Sequence, residues 1–252
     1  MGKSSKTFIL ILTFFLCPIY SYSQDYNLTF YSVGFISDYM GRRIEKGDSE
    51  LKNSVDNFFH QSNLYDLVRL DTLLKLNNLK KEFIPYQIKK REGSNNCSNC
   101  HEFFDLNSKL LCQRINRFYN FKKDKLNSDE KIQRYIGKLK VRKILFSKKN
   151  NLISFMAGAF YTYGDKDSIG YYYRFGNSVE KQKVVRRLLE RFDCKIIKEF
   201  DNQEEGSLIA PLINTIYFIP TTDLKIRFDY EIKIKKELKE LMLTGTTMGL
   251  GS

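Results

Sequence analysis

The residues of this chain that could do chemistry are few. Among 252 residues there are two histidines and five cysteines, and Cys97, Cys100 and His101 stand together in the run Ser94-Asn95-Asn96-Cys97-Ser98-Asn99-Cys100-His101. A Cys-x-x-Cys-His run supplies two thiols that can add to the vinyl groups of a haem and an imidazole that reaches the iron from one side. The same atoms support other chemistry. Cys97, Cys100 and Cys112 with one histidine make a four-ligand zinc set, and Cys97 with Cys100 can close a redox disulfide or a plain structural one. In the haem reading Cys112 and Cys194 are left to pair with each other, and His60, beside Phe58 and Phe59, is the alternative axial ligand opposite His101. Four thiols in an oxidising compartment allow three full pairings, among which the sequence does not choose.

The run from Cys97 to His101 resembles the attachment site of c-type cytochromes. That resemblance implies haem c held through Cys97 and Cys100, His101 as the proximal ligand to the iron, and a mono-haem electron-transfer role. The Cys97 to Cys100 spacing also resembles thioredoxin-type motifs, whose first cysteine opens a helix in a βαβ unit that is not read here. With two histidines, a histidine general base or a multi-histidine metal site has almost no raw material. Gly-x-Ser-x-Gly, His-Glu-x-x-His and Gly-x-Gly-x-x-Gly are all missing. The sequence therefore points first to a binding or structural protein with no catalytic constellation and no cofactor. The haem protein is the alternative.

Tyr161, Tyr163, Tyr171, Tyr172 and Tyr173 fall on two adjacent predicted strands, where rings sharing a face would offer stacking surfaces to bases or sugars. Cross-strand aromatic pairs are equally ordinary in any antiparallel sheet. Lys and Arg outnumber Asp and Glu by 42 to 29, a formal net charge of +13, which attracts anionic partners in a salt-dependent way. Lys, Asn, Ile, Phe and Tyr are abundant along the whole chain, and a compositional bias of that kind accounts for the charge without a binding role. Nucleic acid is accordingly not the expected partner. Lys181, Lys183, Arg186, Arg187 and Arg191 read as the solvated face of a helix.

These groups need elements to position them. Residues 1–23 read as a signal peptide: Lys3 and Lys6 precede an apolar stretch too short to span a bilayer, and Ser21 and Ser23 suit a peptidase. The expectation is export, periplasmic or extracellular, with no later integral membrane segment. Residues 24–139 read as a mainly helical region that contains the Cys-x-x-Cys-His loop. It opens with a strand over 25–37, followed by a helix through Leu51, Val55, Phe58 and Phe59. A Leu-rich helix over 64–83 comes next, then a helix capped by Asp105 or Asn107, and one carrying Ile132, Tyr135, Ile136 and Leu139. Over 140–243 the period turns towards two. Strands are predicted over 141–146, 152–163, 169–175, 194–200 and 212–219, with a helix after Asn177 or Ser178. A last strand from Leu224 alternates Ile226, Phe228, Tyr230, Ile232 and Ile234 with charged residues. Residues 244–252 read as a loose tail, and no internal repeat is visible. The fold expected is α+β, a helical N-terminal region followed by an antiparallel sheet of about six strands with packed helices.

Overall fold

Gly34 and Gly158 each lie in an apolar run, and in the computed structural model of the chain their helices meet backbone to backbone. The structure describes residues 25–47, 53–60, 63–91, 103–125, 128, 132–202 and 213–243. In chain order the elements are α1 (Leu28–Phe35), β1 (Arg42–Gly47), β2 (Ser54–His60), α2 (Leu64–Lys80), β3 (Gln87–Arg91), β4 (Phe103–Asn107), α3 (Lys109–Asn116), β5 (Tyr119–Lys123) and β6 (Ile132–Leu139). Then come α4 (Val141–Leu145), α5 (Lys149–Tyr163), β7 (Gly164–Lys166), β8 (Tyr171–Gly176), α6 (Val179–Arg191), β9 (Lys195–Asn202), β10 (Ile213–Ile219) and α7 (Thr222–Leu243). The strands form three antiparallel sheets, ordered β1-β6-β5, β2-β4-β3 and β7-β8-β10-β9. The α+β class is as expected, but the strands are divided among three sheets and the first half is only partly helical.

α1 and α5 cross at the centre. A Cβ on Gly34 would stand 2.1 Å from the Phe155 carbonyl oxygen, and one on Gly158 would stand 2.1 Å from that of Tyr31. Only hydrogen fits at either point. Glycine costs a helix interior about 0.5–1 kcal/mol against alanine, and here the close approach offsets it. Both ends of the crossing are pinned by hydroxyls. The Asn27 N–H donates to Ser154 Oγ at 2.9 Å beside the α1 N-cap, and Thr162 Oγ1 donates to the Phe35 carbonyl at 2.6 Å at the other end.

The chain then repeats itself in topology although not in sequence. The order α1-β1-β2-α2-β3-β4-α3 recurs as α5-β7-β8-α6-β9-β10-α7, and the strand order β2-β4-β3 matches β8-β10-β9. The halves differ at one strand. β7 extends its own sheet, whereas β1 leaves to pair with β6.

α7 closes over the central pair through charge as well as packing. Arg69 on α2 and Glu231 on α7 form an ion pair at 2.8 Å with both side chains buried, and the Tyr31 hydroxyl donates to Glu231 at 2.8 Å. Removing one partner of such a pair costs about 3–5 kcal/mol, because the other charge is left stranded. Nearby, burial pushes the Asp66 carboxyl up to about 7, with Lys235 opposing, Asp56 adding and Lys239 opposing.

Several predicted elements are corrected. Residues 25–37, 141–146 and 152–163 are not strands but supply α1, α4 and α5, and the alternating stretch from Leu224 is α7. The helices expected through Val55 and through Ile136 are β2 and β6. In α1 and α5 the cause is burial on every side. All of Leu28–Phe35 except Thr29 is buried, as is each residue from Leu152 to Tyr161, so no wet face gives the 3.6-residue stripe. Val55 and Phe59 are buried in β2, where a bulged register displaces the simple alternation.

Gly158→Ala is expected to cost about 1–3 kcal/mol or more by forcing the helices apart, lowering the melting temperature by roughly 5–10 °C. Gly176→Ala, whose Cβ would meet nothing within 4 Å, is the control and should melt with the wild type in calorimetry. A second expectation concerns pH. The native Asp66 carboxyl holds its proton to about pH 7, whereas the unfolded one releases it near about pH 4. The native state binds more protons between those values, so stability falls as pH rises through them and levels off above. The stability gained by Asp66→Asn should therefore grow from pH 4 to 7 and then stay constant; a difference independent of pH would contradict this.

Candidate nucleic-acid interface

The outer surface of the β7-β8-β10-β9 sheet follows from how its inner surface is locked. Tyr171, Tyr173 and Phe175 of β8 and Ile216 and Phe218 of β10 are buried. Tyr171, Tyr173 and Phe218 pack on Phe160 of α5 or Phe228 of α7, whose rings stack at 4.2 Å, and Phe175 packs on Tyr163 and Tyr173. The Tyr173 hydroxyl donates to the Met156 carbonyl at 3.0 Å, and that of Tyr171 donates to Asp229 at 2.5 Å. Since successive strand residues point to opposite faces, Tyr172, Arg174, Thr215 and Tyr217 must project outward. The register sets them in rows. Tyr217 lies between Tyr172 and Lys198, and Thr215 lies between Arg174 and Phe200. The two rows are about 6.6–6.8 Å apart along the strands, and Asp165 of β7 extends the first of them.

The rings make one half-exposed patch. Tyr172 and Tyr217 have centroids 5.3 Å apart at 46°, and Phe200 meets Tyr217 edge-on at 6.0 Å. The Lys198 ammonium sits 4.0 Å from the Phe200 centroid, and Arg174 is exposed at the opposite corner. Tyr217 is held in place: its hydroxyl donates to Asp167 at 2.9 Å, and Asp167 also accepts the Ile169 and Gly170 amides at 2.8 and 3.2 Å. Desolvation of the Asp167 carboxyl is outweighed by those three donors, which hold it below the usual carboxylate range. An apolar π surface with a cation at each end can bind a polyanion that also presents flat rings. It contains no group arranged for covalent chemistry.

A second set of polar side chains lies inside, where the two halves join. Lys181 is not on a solvated face as the sequence suggested but fully buried. Its ammonium donates to the Ile36 carbonyl at 2.6 Å, pairs with Asp38 at 3.4 Å and lies 5.0 Å from the Tyr163 ring centroid. Burial pushes the Lys181 ammonium down from its ordinary value, and Asp38 pulls it partly back. Arg42 donates to Asn116 at 2.7 Å and to the Val55 carbonyl at 2.7 Å. Both cations are spent on neighbouring elements: Lys181 joins α6 to the first half, and Arg42 ties elements within that half.

The sequence-predicted site residues separate. Cys97, Cys100 and His101 lie outside the described residues, as does the side chain of His60. Cys112 is buried on α3, where its sulfur accepts from Asn116 Nδ2 at 3.4 Å and Arg42 at 3.7 Å. Both Cys112 and Cys194 are free and buried, so the pairing that the haem reading left open to them is not formed. Among the described residues no three His, Cys, Asp or Glu side chains are grouped to hold a metal ion, and no helix is long and apolar enough to cross a membrane. The tyrosine cluster breaks up: Tyr161 and Tyr163 are on α5, Tyr171 and Tyr173 point inward, and Tyr172 alone of the five joins the outer patch. Tyr217 and Phe200 were missed. The signal for Tyr217 was there, in the alternation of Asn214, Ile216 and Phe218 along a strand correctly read.

Neither the protein-family models nor the curated proteins give a match to this chain. Among solved structures it is similar to a mesophilic variant of the homing endonuclease I-DmoI, at 13% identity and a TM-score of 0.45 over 81% of this chain and 88% of that one. A variant of I-DmoI in complex with its target DNA and manganese gives 13% identity and a TM-score of 0.45 over 85% and 97%. I-DmoI in complex with DNA and calcium gives 14% and 0.41 over 81% and 88%. The likeness stands against four expectations: the exported binding or structural protein, its mono-haem electron-transfer alternative, the periplasmic or extracellular location, and the exclusion of nucleic acid as a partner. The solved structures are of a homing endonuclease, two of the three in complex with DNA, and none is described as an exported protein or a cytochrome. No activity is carried over from the likeness.

Proposed function

We propose that this protein binds nucleic acid through the outer face of the β8, β10 and β9 strands. The observation that carries the reading is the pair of rows Tyr172–Tyr217–Lys198 and Arg174–Thr215–Phe200, which set aromatic rings between two cations on one solvent-facing sheet surface. Aromatic side chains are costly to leave wet, and a flat partner with its own π faces removes them from water. Arg174 and Lys198 answer the phosphates of such a partner, and the excess of 42 basic over 29 acidic residues makes approach of a polyanion favourable at long range. Inside the sheet, the stacked Phe160 and Phe228 and the Tyr173 hydroxyl keep the strands from twisting away, so the face is presented without reorganisation.

Binding of labelled oligonucleotides should weaken steeply with salt. Each phosphate contact contributes about 0.7–0.9 to the slope of log affinity against log salt. Arg174→Ala and Lys198→Ala should each flatten that slope by about 1 and weaken binding uniformly across sequences. Failure to bind any nucleic acid at low salt, or affinities and slopes unchanged in both variants, would overturn the reading.

A further inference from the structure

We infer that the partner of this face is an unpaired strand, whose bases stack on Tyr172 and Tyr217 while Arg174 and Lys198 meet its phosphates. The inference rests on the nucleic-acid reading above and narrows it. A duplex keeps its bases stacked on one another and offers phosphates and groove edges, so a face that reads duplex needs cations and hydrogen-bonding side chains. Here the centre of the face is aromatic, and its cations stand at the ends. Unpaired strands are recognised the other way round: splayed bases lie on aromatic rings and a flanking positive charge follows the backbone.

Three features fit this use. Tyr172 and Tyr217 are adjacent across the strands at 5.3 Å and half-exposed, so each keeps ring surface open to solvent. Tyr217 is prevented from rotating away by its bond to Asp167, itself fixed by the amides of the Ile169–Gly170 turn, so little ordering cost is left for binding. Ile213 and Ile219, on the same outward face of β10, continue the apolar surface to either side of Thr215 and Tyr217, with the exposed Lys195 opposite Ile219 adding a third cation at the β9 edge. The acidic neighbours do not contradict this. Asp167 is engaged by three donors, and Asp165 lies at the β7 edge of the first row, at the end opposite Lys198.

The test is a set of anisotropy titrations of the full chain with a labelled single-stranded thymidine oligomer, its uridine counterpart and a duplex containing the same strand. Tyr217→Leu, Tyr217→Phe and Tyr172→Leu are compared with the wild type, and their melting temperatures are measured alongside. The single strands should bind about tenfold or more tightly than the duplex, and each Leu variant should lose about 10- to 100-fold for them with duplex binding within about twofold. Tyr217→Phe, which keeps the ring but loses the bond to Asp167, should bind single strands more weakly than the wild type and clearly more tightly than Tyr217→Leu. The chain has 16 tyrosines and no tryptophan, so the share of tyrosine quenching by saturating single strand that is lost in Tyr172→Leu and Tyr217→Leu reports the contact. Equal or tighter duplex binding, Leu variants that fold and bind single strands normally, or a Phe variant as weak as the Leu variant would each overturn the inference. If binding to the duplex persists and depends on Arg174 and Lys198, the broader reading stands alone; if neither form binds, both fall. The thymidine and uridine arms decide which sugar the face prefers.

Discussion

Two helices can approach to backbone contact only where neither carries a Cβ at the crossing, and Gly34 and Gly158 meet that requirement from both sides. The consequences run outward from that point. With the helices this close, Ser154 reaches the Asn27 amide at one end and Thr162 reaches the Phe35 carbonyl at the other. The direction in which each helix hands the chain to its sheet is thereby set. β7 follows α5 without a linker, and Gly164 at that junction has Phe160 against the position of a Cβ. The sheet that carries the aromatic face is thus hung directly from the crossing, and its inner Tyr171 and Tyr173 pack on Phe160 of the same helix.

The buried charges serve the same architecture. Arg69 and Glu231 join α2 to α7 across Tyr31 of α1, and Lys181 ties α6 to the carbonyl of Ile36 just after that helix. Desolvating such ions is expensive, and a hydrophobic pair of equal volume often does as well for stability. What the ions add is a directional requirement, since each is satisfied in one arrangement of its elements. In a molecule whose two halves repeat the same topology, this distinguishes the native pairing of helices from a slipped one.

The sequence was legible where elements have one wet side. α2, α3 and α6 and the strands β8, β9 and β10 were read at nearly their observed positions, because in them the apolar stripe or the alternation is bordered by polar residues. The failures are concentrated in the elements that matter most. α1 and α5 are enclosed on all sides, and their β-branched and aromatic content imitates a buried strand. The small residues Gly34, Ala157, Gly158 and Ala159 were the available sign of a close helix crossing. α7 failed for a different reason: Leu224, Phe228, Glu231, Ile234 and Leu238, the residues buried in it, follow helical spacing, but they are interleaved with Ile226, Tyr230 and Ile232 in faultless alternation. Glu231 was assigned to the wet side of that pattern and is in fact buried against Arg69. The outer patch was half legible, because Tyr172 and Tyr217 come from strands 40-odd residues apart whose pairing no local pattern specifies.

A bound strand must lie across β8, β10 and β9. The most direct measurement is ultraviolet crosslinking of the full chain to a single-stranded oligonucleotide, followed by mass-spectrometric mapping of the adducted residues. The expected result is adducts at Tyr172, Phe200 or Tyr217, on β8, β9 and β10. Adducts confined to the lysine-rich surface of α7 or the exposed arginines of α6, with none on the sheet, would contradict it.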